Sequence, residues 1–145
     1  MAKLRPATPP ALVEQRKKLE AMLGSIDDIV VSESNFSTRD AYWCNGKEIA
    51  HFEGDDVIEV RLTKSVIRDR RAEFKVDERV ELRPSGADWM TVRIASVTDL
   101  AFVVQLVEIA AQAHRPPPGV AAKPPPTGSD LRRRQRFHSL RAVLL

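Results

Sequence analysis

The stretch Ala41–Leu62, AYWCNGKEIAHFEGDDVIEVRL, constrains the chain most. Asn45-Gly46 stands between two strand-like runs. A two-residue hairpin turn of type I′ needs positive φ at both positions, and Asn followed by Gly meets that need best. Glu53-Gly54-Asp55-Asp56 makes a looser second turn, after which Val57–Leu62 alternates strictly. Ile58, Val60 and Leu62 point one way, and Val57, Glu59 and Arg61 the other. This stretch therefore reads as three consecutive strands.

The flanking chain extends this pattern. Thr8 and Pro9 suit the N-cap and first position of a helix ending near Leu23, with Leu12, Leu19 and Leu23 on one stripe and Gly24 closing it. Ile29–Phe36 is strand-like. Thr63 suits the cap of a short helix over about Lys64–Phe74, with Val66, Ile67 and Phe74 inward. Arg79–Arg83 and Trp89–Ile94 read as two more strands. In the second of these Met90, Val92 and Ile94 face the core, while Trp89, Thr91 and Arg93 face away. Ser96 and Asp99 hint at a capping box opening the longest helix, about Val97–His114. The order is α-β-β-β-β-α-β-β-α. It predicts an α+β, two-layer domain: a mostly antiparallel six-stranded sheet with the first and last of these helices on one face.

Residue 115 marks a change of character. Pro116–Pro118 and Pro124–Pro126 frame a polyproline-type linker, followed by LRRRQRFHSLRAVLL. The reading is thus one α+β domain over 1–114 and a Pro-rich linker with a basic tail over 115–145. Charge divides at the same place. The tail holds seven Lys/Arg and one acid, whereas the first 114 residues hold sixteen and nineteen, so a net charge of +3 combines +6 with −3. Arg132, Arg133, Arg134 and Arg136 form a patch suited to phosphates of nucleic acid or anionic lipid, although a basic run after a Pro-rich segment is more often a solvated extension. The Arg68–Arg71 cluster is interrupted by Asp69, as on an ion-paired solvated face.

One cysteine rules out an internal disulfide and fits a reducing, cytoplasmic setting. The start lacks the apolar region of a secretory signal, and no apolar run is long enough for a membrane span. No spacing points to a catalytic triad or a metal set, so no cofactor is expected, and the enzyme question leans to no. Cys44 reads as an inert buried thiol, and Glu53 with Asp55-Asp56 as a charged turn rather than a calcium loop. What remains is the sheet face that the helices leave open. Arg61, Trp89 and Arg93 lie on it, with His51 and Asp55 near one end. A tryptophan, two guanidiniums and an imidazole suit a planar or anionic small ligand. They equally suit a solvated face or a contact with a second copy of the chain.

The motifs also carry a resemblance. Gly46, Glu48, Ala50, His51 and Phe52, then Gly54 and Asp55, then Arg61-Leu62, then Trp89, Val92 and Arg93 resemble the small bacterial proteins of the luciferase family, over about residues 20–114. Glu53 stands where many relatives carry histidine. The resemblance implies a small domain of undetermined activity, with oxygen-using enzymology as the family label suggests. It is not similar to the flavin-dependent luciferases, which are barrels of about 250 residues. A weaker likeness is to double-wing, frataxin-like-fold proteins suggested to bind DNA.

Overall fold

The computed structural model describes residues 10–84 and 86–144. Thr8 and Pro9 lie outside that range, and nothing is said of the side chains of residues 10–12 and 138–144. Helix α1 spans Pro10–Gly24, followed by β1 Ile29–Glu33, β2 Asp40–Cys44, β3 Lys47–Phe52 and β4 Val57–Arg61. Then come α2 Lys64–Asp69, α3 Arg71–Lys75, β5 Val80–Glu81, β6 Trp89–Arg93, α4 Asp99–His114 and α5 Gly128–Leu144. The six strands form one sheet in the order β1-β2-β3-β4-β6-β5. All five pairings are antiparallel. The α+β class and the element order expected for residues 1–114 hold. Even the connection through α2 and α3 makes no parallel pair, because β6 inserts between β4 and β5.

Asn45 and Gly46 turn β2 into β3 with φ of 51° and 75°, as a type I′ turn requires. Leu19 and Leu23 of α1, Val103, Leu106, Val107 and Ala110 of α4, and Tyr42, Ala50, Ile58, Val60, Met90 and Val92 of the sheet form one buried core. Burying a side chain of this size is worth about 1.5–3 kcal/mol. This packing fixes which sheet face the helices cover.

Beyond two strands shorter than expected, Ile29–Glu33 for Ile29–Phe36 and Val80–Glu81 for Arg79–Arg83, three details differ from the sequence reading. The middle helix is broken at Arg70 (φ −106°, ψ 9°) into α2 and α3. The break lets both Ile67 and Phe74 reach the core. The expected Thr63 cap is present, with the hydroxyl accepting from the Val66 N–H at 3.4 Å. At α4 only half of the capping box forms. The Asp99 carboxylate accepts the Ser96 N–H at 3.0 Å, while the Ser96 hydroxyl pairs with Thr98 at 2.7 Å.

The third difference is the tail. The segment read as a linker and basic tail folds back onto the sheet. The Lys123 N–H donates to Asn45 Oδ1 at 2.9 Å. A Cβ on Gly46 would sit 3.1 Å from that of Lys123, so the hairpin turn and the linker are in contact. Further on, Gln135 Nε2 donates to the carbonyls of Ser34 at 2.8 Å and Ser37 at 3.0 Å. Asn45 and the Ser34–Ser37 loop lie at opposite ends of β2, so the segment 123–135 runs along that strand. Ala41 and Trp43 face away from α1 and α4, yet both are fully buried, and Leu131 of α5 is buried too. One end of the open face is thus covered by the chain itself.

Candidate functional site

The tail leaves the other end of that face free, and His51 lies at its centre. The register sets His51 opposite Glu59, and Glu59 opposite Thr91. These three therefore share the open face. Glu48 lies three residues before His51, and strict alternation would point it into the helix-side core. It does not point there. Tyr42 pairs with Ala50 but Trp43 pairs with Glu48, so Ile49 is an extra residue in β3. Such a bulge resets the parity of the strand. Ile49 and Ala50 both enter the core, and Glu48 comes round to the face of His51.

Glu48 is 0% exposed. A buried carboxylate needs partners, and it has three. Ser34 Oγ donates to its Oε2 at 3.0 Å, the Asn35 N–H donates to Oε1 at 2.5 Å, and His51 Nδ1–H donates to Oε2 at 2.8 Å. On the other side, His51 Nε2–H donates to Glu59 Oε2 at 2.9 Å, and Glu53 Oε1 lies 3.1 Å from the same nitrogen. Arg83 Nη2 donates to Glu59 Oε1 at 2.5 Å. Burial alone would push the imidazole toward its neutral form. The hydrogen bonds and charges of Glu48 and Glu59 outweigh it and raise its pKa from 6.5 to about 9. Burial likewise favours neutral Glu59, but hydrogen bonds from His51 and Arg83 hold its carboxyl below the usual range.

Aromatic rings close over this chain of charges. The ring of Trp89 lies 5.0 Å from that of His51, and the ring of Phe36 lies 5.3 Å from His51 and 5.7 Å, edge-on, from Trp89. Phe36, His51, Glu53, Glu59, Arg83 and Trp89 line a cavity of about 250 Å³. A larger groove of about 480 Å³ runs beside α1 and α4, past Met22, Ile26, Glu108 and Arg115. Arg115 there is paired with Asp28 at 3.0 Å. No aromatic ring lines that groove, and the perturbed His51–Glu59 pair lies in the smaller cavity. The smaller cavity is therefore the candidate site.

The structure brings two of the five expected open-face residues together in this cavity, His51 and Trp89. His51 lies 6% exposed at the centre of the face, not at its rim. Arg61 adjoins from outside, its guanidinium 5.8 Å from the Trp89 ring centre and 3.6 Å from Asp88. Arg93 is exposed, opposite Val57. Asp55 turns to the helix side, where Arg16 Nη1 meets its Oδ1 at 3.0 Å. Arg132, Arg133, Arg134 and Arg136 are exposed on α5, with Arg133 3.7 Å from Asp130. The sequence reading did not name Phe36, Glu48, Glu53, Glu59 or Arg83 as site residues. Glu48 and Glu53 gave a signal as carboxylates in the hairpin strand and the turn after it, and Glu59 by its outward parity in Val57–Leu62; Phe36 gave none.

Glu48, His51, Glu53, Glu59, Arg83 and Trp89 all fall in one segment that is similar to known proteins. Residues 46–110 match the luciferase-domain family. The luciferase-domain match runs from the hairpin turn into α4 and takes in the whole cavity except Phe36. It agrees with the resemblance carried by Gly46, Glu48, His51, Trp89 and Arg93. The likeness to double-wing, frataxin-like proteins finds no support. No curated protein and no solved structure matches the chain. Among the described residues, no helix is long and apolar enough to cross a membrane.

Proposed function

We propose that this luciferase-domain protein binds a small planar molecule on the open sheet face, in the cavity above His51. The observation that carries this reading is the convergence of the Phe36, His51 and Trp89 rings around one cavity, within 5.0–5.7 Å of each other. Aromatic walls favour a flat ligand through offset or edge contacts, worth about 0.5–1.5 kcal/mol per pair beyond burial. Arg83 supplies a positive handle for an acidic hydroxyl or carboxylate. Glu53 and Glu59 accept hydrogen bonds from ligand donors. Arg61 and Arg93 extend the positive rim, and Asp55 takes no part. A cytoplasmic setting fits the free, buried thiol of Cys44.

The test is a thermal-shift series with planar hydroxyaromatic compounds on wild type, Phe36→Ala and Trp89→Ala. Shifts that shrink in both variants support the reading. Shifts that persist unchanged in both sink it. The family match favours a second reading, an oxygen-using enzyme that acts on such a molecule. There the Glu59 carboxylate, beside His51, would take the proton of the ligand's hydroxyl. Light emission or oxygen uptake with the compounds that bind would establish it. A third reading, nucleic-acid binding, rests on the exposed arginines of α5.

A further inference from the structure

We infer that His51, Glu53 and Glu59 form a binding site for a divalent transition-metal ion, opening into the cavity. The inference rests on the same reading of the cavity as a ligand site, and adds the ion as its polar floor.

The donor atoms already stand close to where an ion needs them. Two atoms bound to one tetrahedral ion at about 2.0–2.1 Å lie roughly 3.3 Å apart. His51 Nε2 is 3.1 Å from Glu53 Oε1 and 2.9 Å from Glu59 Oε2. The three donors all lie within 4.8 Å of one another. Small side-chain movements would therefore seat an ion between them. The Nε2 proton that now bridges to Glu59 would leave to solvent as the ion arrives.

The groups behind these donors suit the same purpose. A metal-binding histidine usually gives its second N–H to a carboxylate, which fixes the ring and raises its basicity. Glu48, wholly buried and anchored by Ser34 and the Asn35 N–H, holds His51 Nδ1 in this way at 2.8 Å. Arg83 grips Glu59 through Oε1 and leaves Oε2 toward Nε2. One imidazole and two carboxylates suit zinc, manganese or iron(II) rather than a thiolate-seeking ion. Three protein ligands leave a further position facing the cavity beside Phe36 and Trp89. That is the arrangement of a site that also binds a substrate or water, not of a closed structural site.

The test is titration of chelator-treated full-length protein with Co²⁺, read by visible absorption and by calorimetry. One equivalent should bind. Glu53 is 56% exposed, so Glu53→Gln keeps the fold, and it should weaken binding by at least the ~10–100-fold typical of losing a supporting partner. Glu48→Gln should weaken it about 10–100-fold while the Co²⁺ absorption, which reports the inner ligands, keeps its shape. No binding at one equivalent, or unchanged affinity in both Glu53→Gln and Glu59→Gln, overturns the inference. If Co²⁺ fails to bind but planar hydroxyaromatics still raise the Tm of chelated protein, the metal site falls and the cavity reading stands. If neither binds, both fall.

Discussion

The His51 bridge makes stability depend on pH in a direction opposite to that of most carboxylate pairs. The folded-state pKa of His51 is raised from 6.5 to about 9 by its contacts with Glu48 and Glu59. A group whose pKa is raised on folding stabilises the fold fully below its unfolded value. That stabilisation is lost as pH climbs through the folded value. A shift of this size corresponds to about 3 kcal/mol, of which roughly 2 kcal/mol should vanish between about pH 6 and pH 8. The remainder should go by about pH 10. The assay is urea unfolding of chelator-treated protein at half-unit steps across that range, for wild type and His51→Gln. Burial raises the pKa of Cys44 and lowers that of His114. Both groups are present in each protein, so the difference between the two curves isolates His51. That difference should fall steadily as pH rises. A difference that is flat, or that grows with pH, would refute the bridged imidazolium.

Other consequences follow from the packing. Glu48→Ala strands the Ser34 hydroxyl, the Asn35 N–H and the His51 ring together, so it should cost about 3–5 kcal/mol in urea unfolding; a loss under 1 kcal/mol would deny the buried network. Leu131→Ala, at a site 4% exposed, should lower stability by about 2 kcal/mol and shift Trp43 emission to the red. Unchanged stability and emission would mean that α5 does not cover β2. If the α5 arginines bind phosphates, affinity for a DNA or RNA oligonucleotide should fall steeply with salt, and replacing Arg132, Arg133, Arg134 and Arg136 by Ala should flatten that slope. A slope that stays the same removes the nucleic-acid reading.

Much of the fold was legible because local rules and the core agree. Asn45-Gly46 demanded a hairpin and made one. The alternation in Val57–Leu62 and Trp89–Ile94 assigned Glu59, Arg61, Trp89 and Arg93 to the open face, where they lie. The heart of the site was not legible. Its geometry turns on one extra residue, Ile49, and alternation read from sequence puts Glu48 on the wrong side. Arg83 ends a segment read as the strand Arg79–Arg83, and only the pairing of β5 with β6 brings it to Glu59. Phe36 reaches His51 from a loop whose path depends on Ser34 and Asn35 meeting Glu48. The docking of the tail rests on the buried Leu131, the amide of Gln135 and the Lys123 N–H; Leu131, Phe137, Leu140 and Leu144 are spaced for an apolar stripe on a basic helix, but nothing in that spacing says what the stripe packs against. Composition alone read that segment as a linker and basic tail.

On the proposal made above, the open-face cavity around His51 takes the ligand. NMR mapping of planar hydroxyaromatic fragments on isotope-labelled protein tests it most directly. Shifts should concentrate on the His51 ring, the Trp89 indole and Phe36, and be lost in Phe36→Ala. Shifts concentrated instead on Met22, Ile26, Val104 and Glu108, in the groove beside α1 and α4, with His51 unmoved, would contradict it.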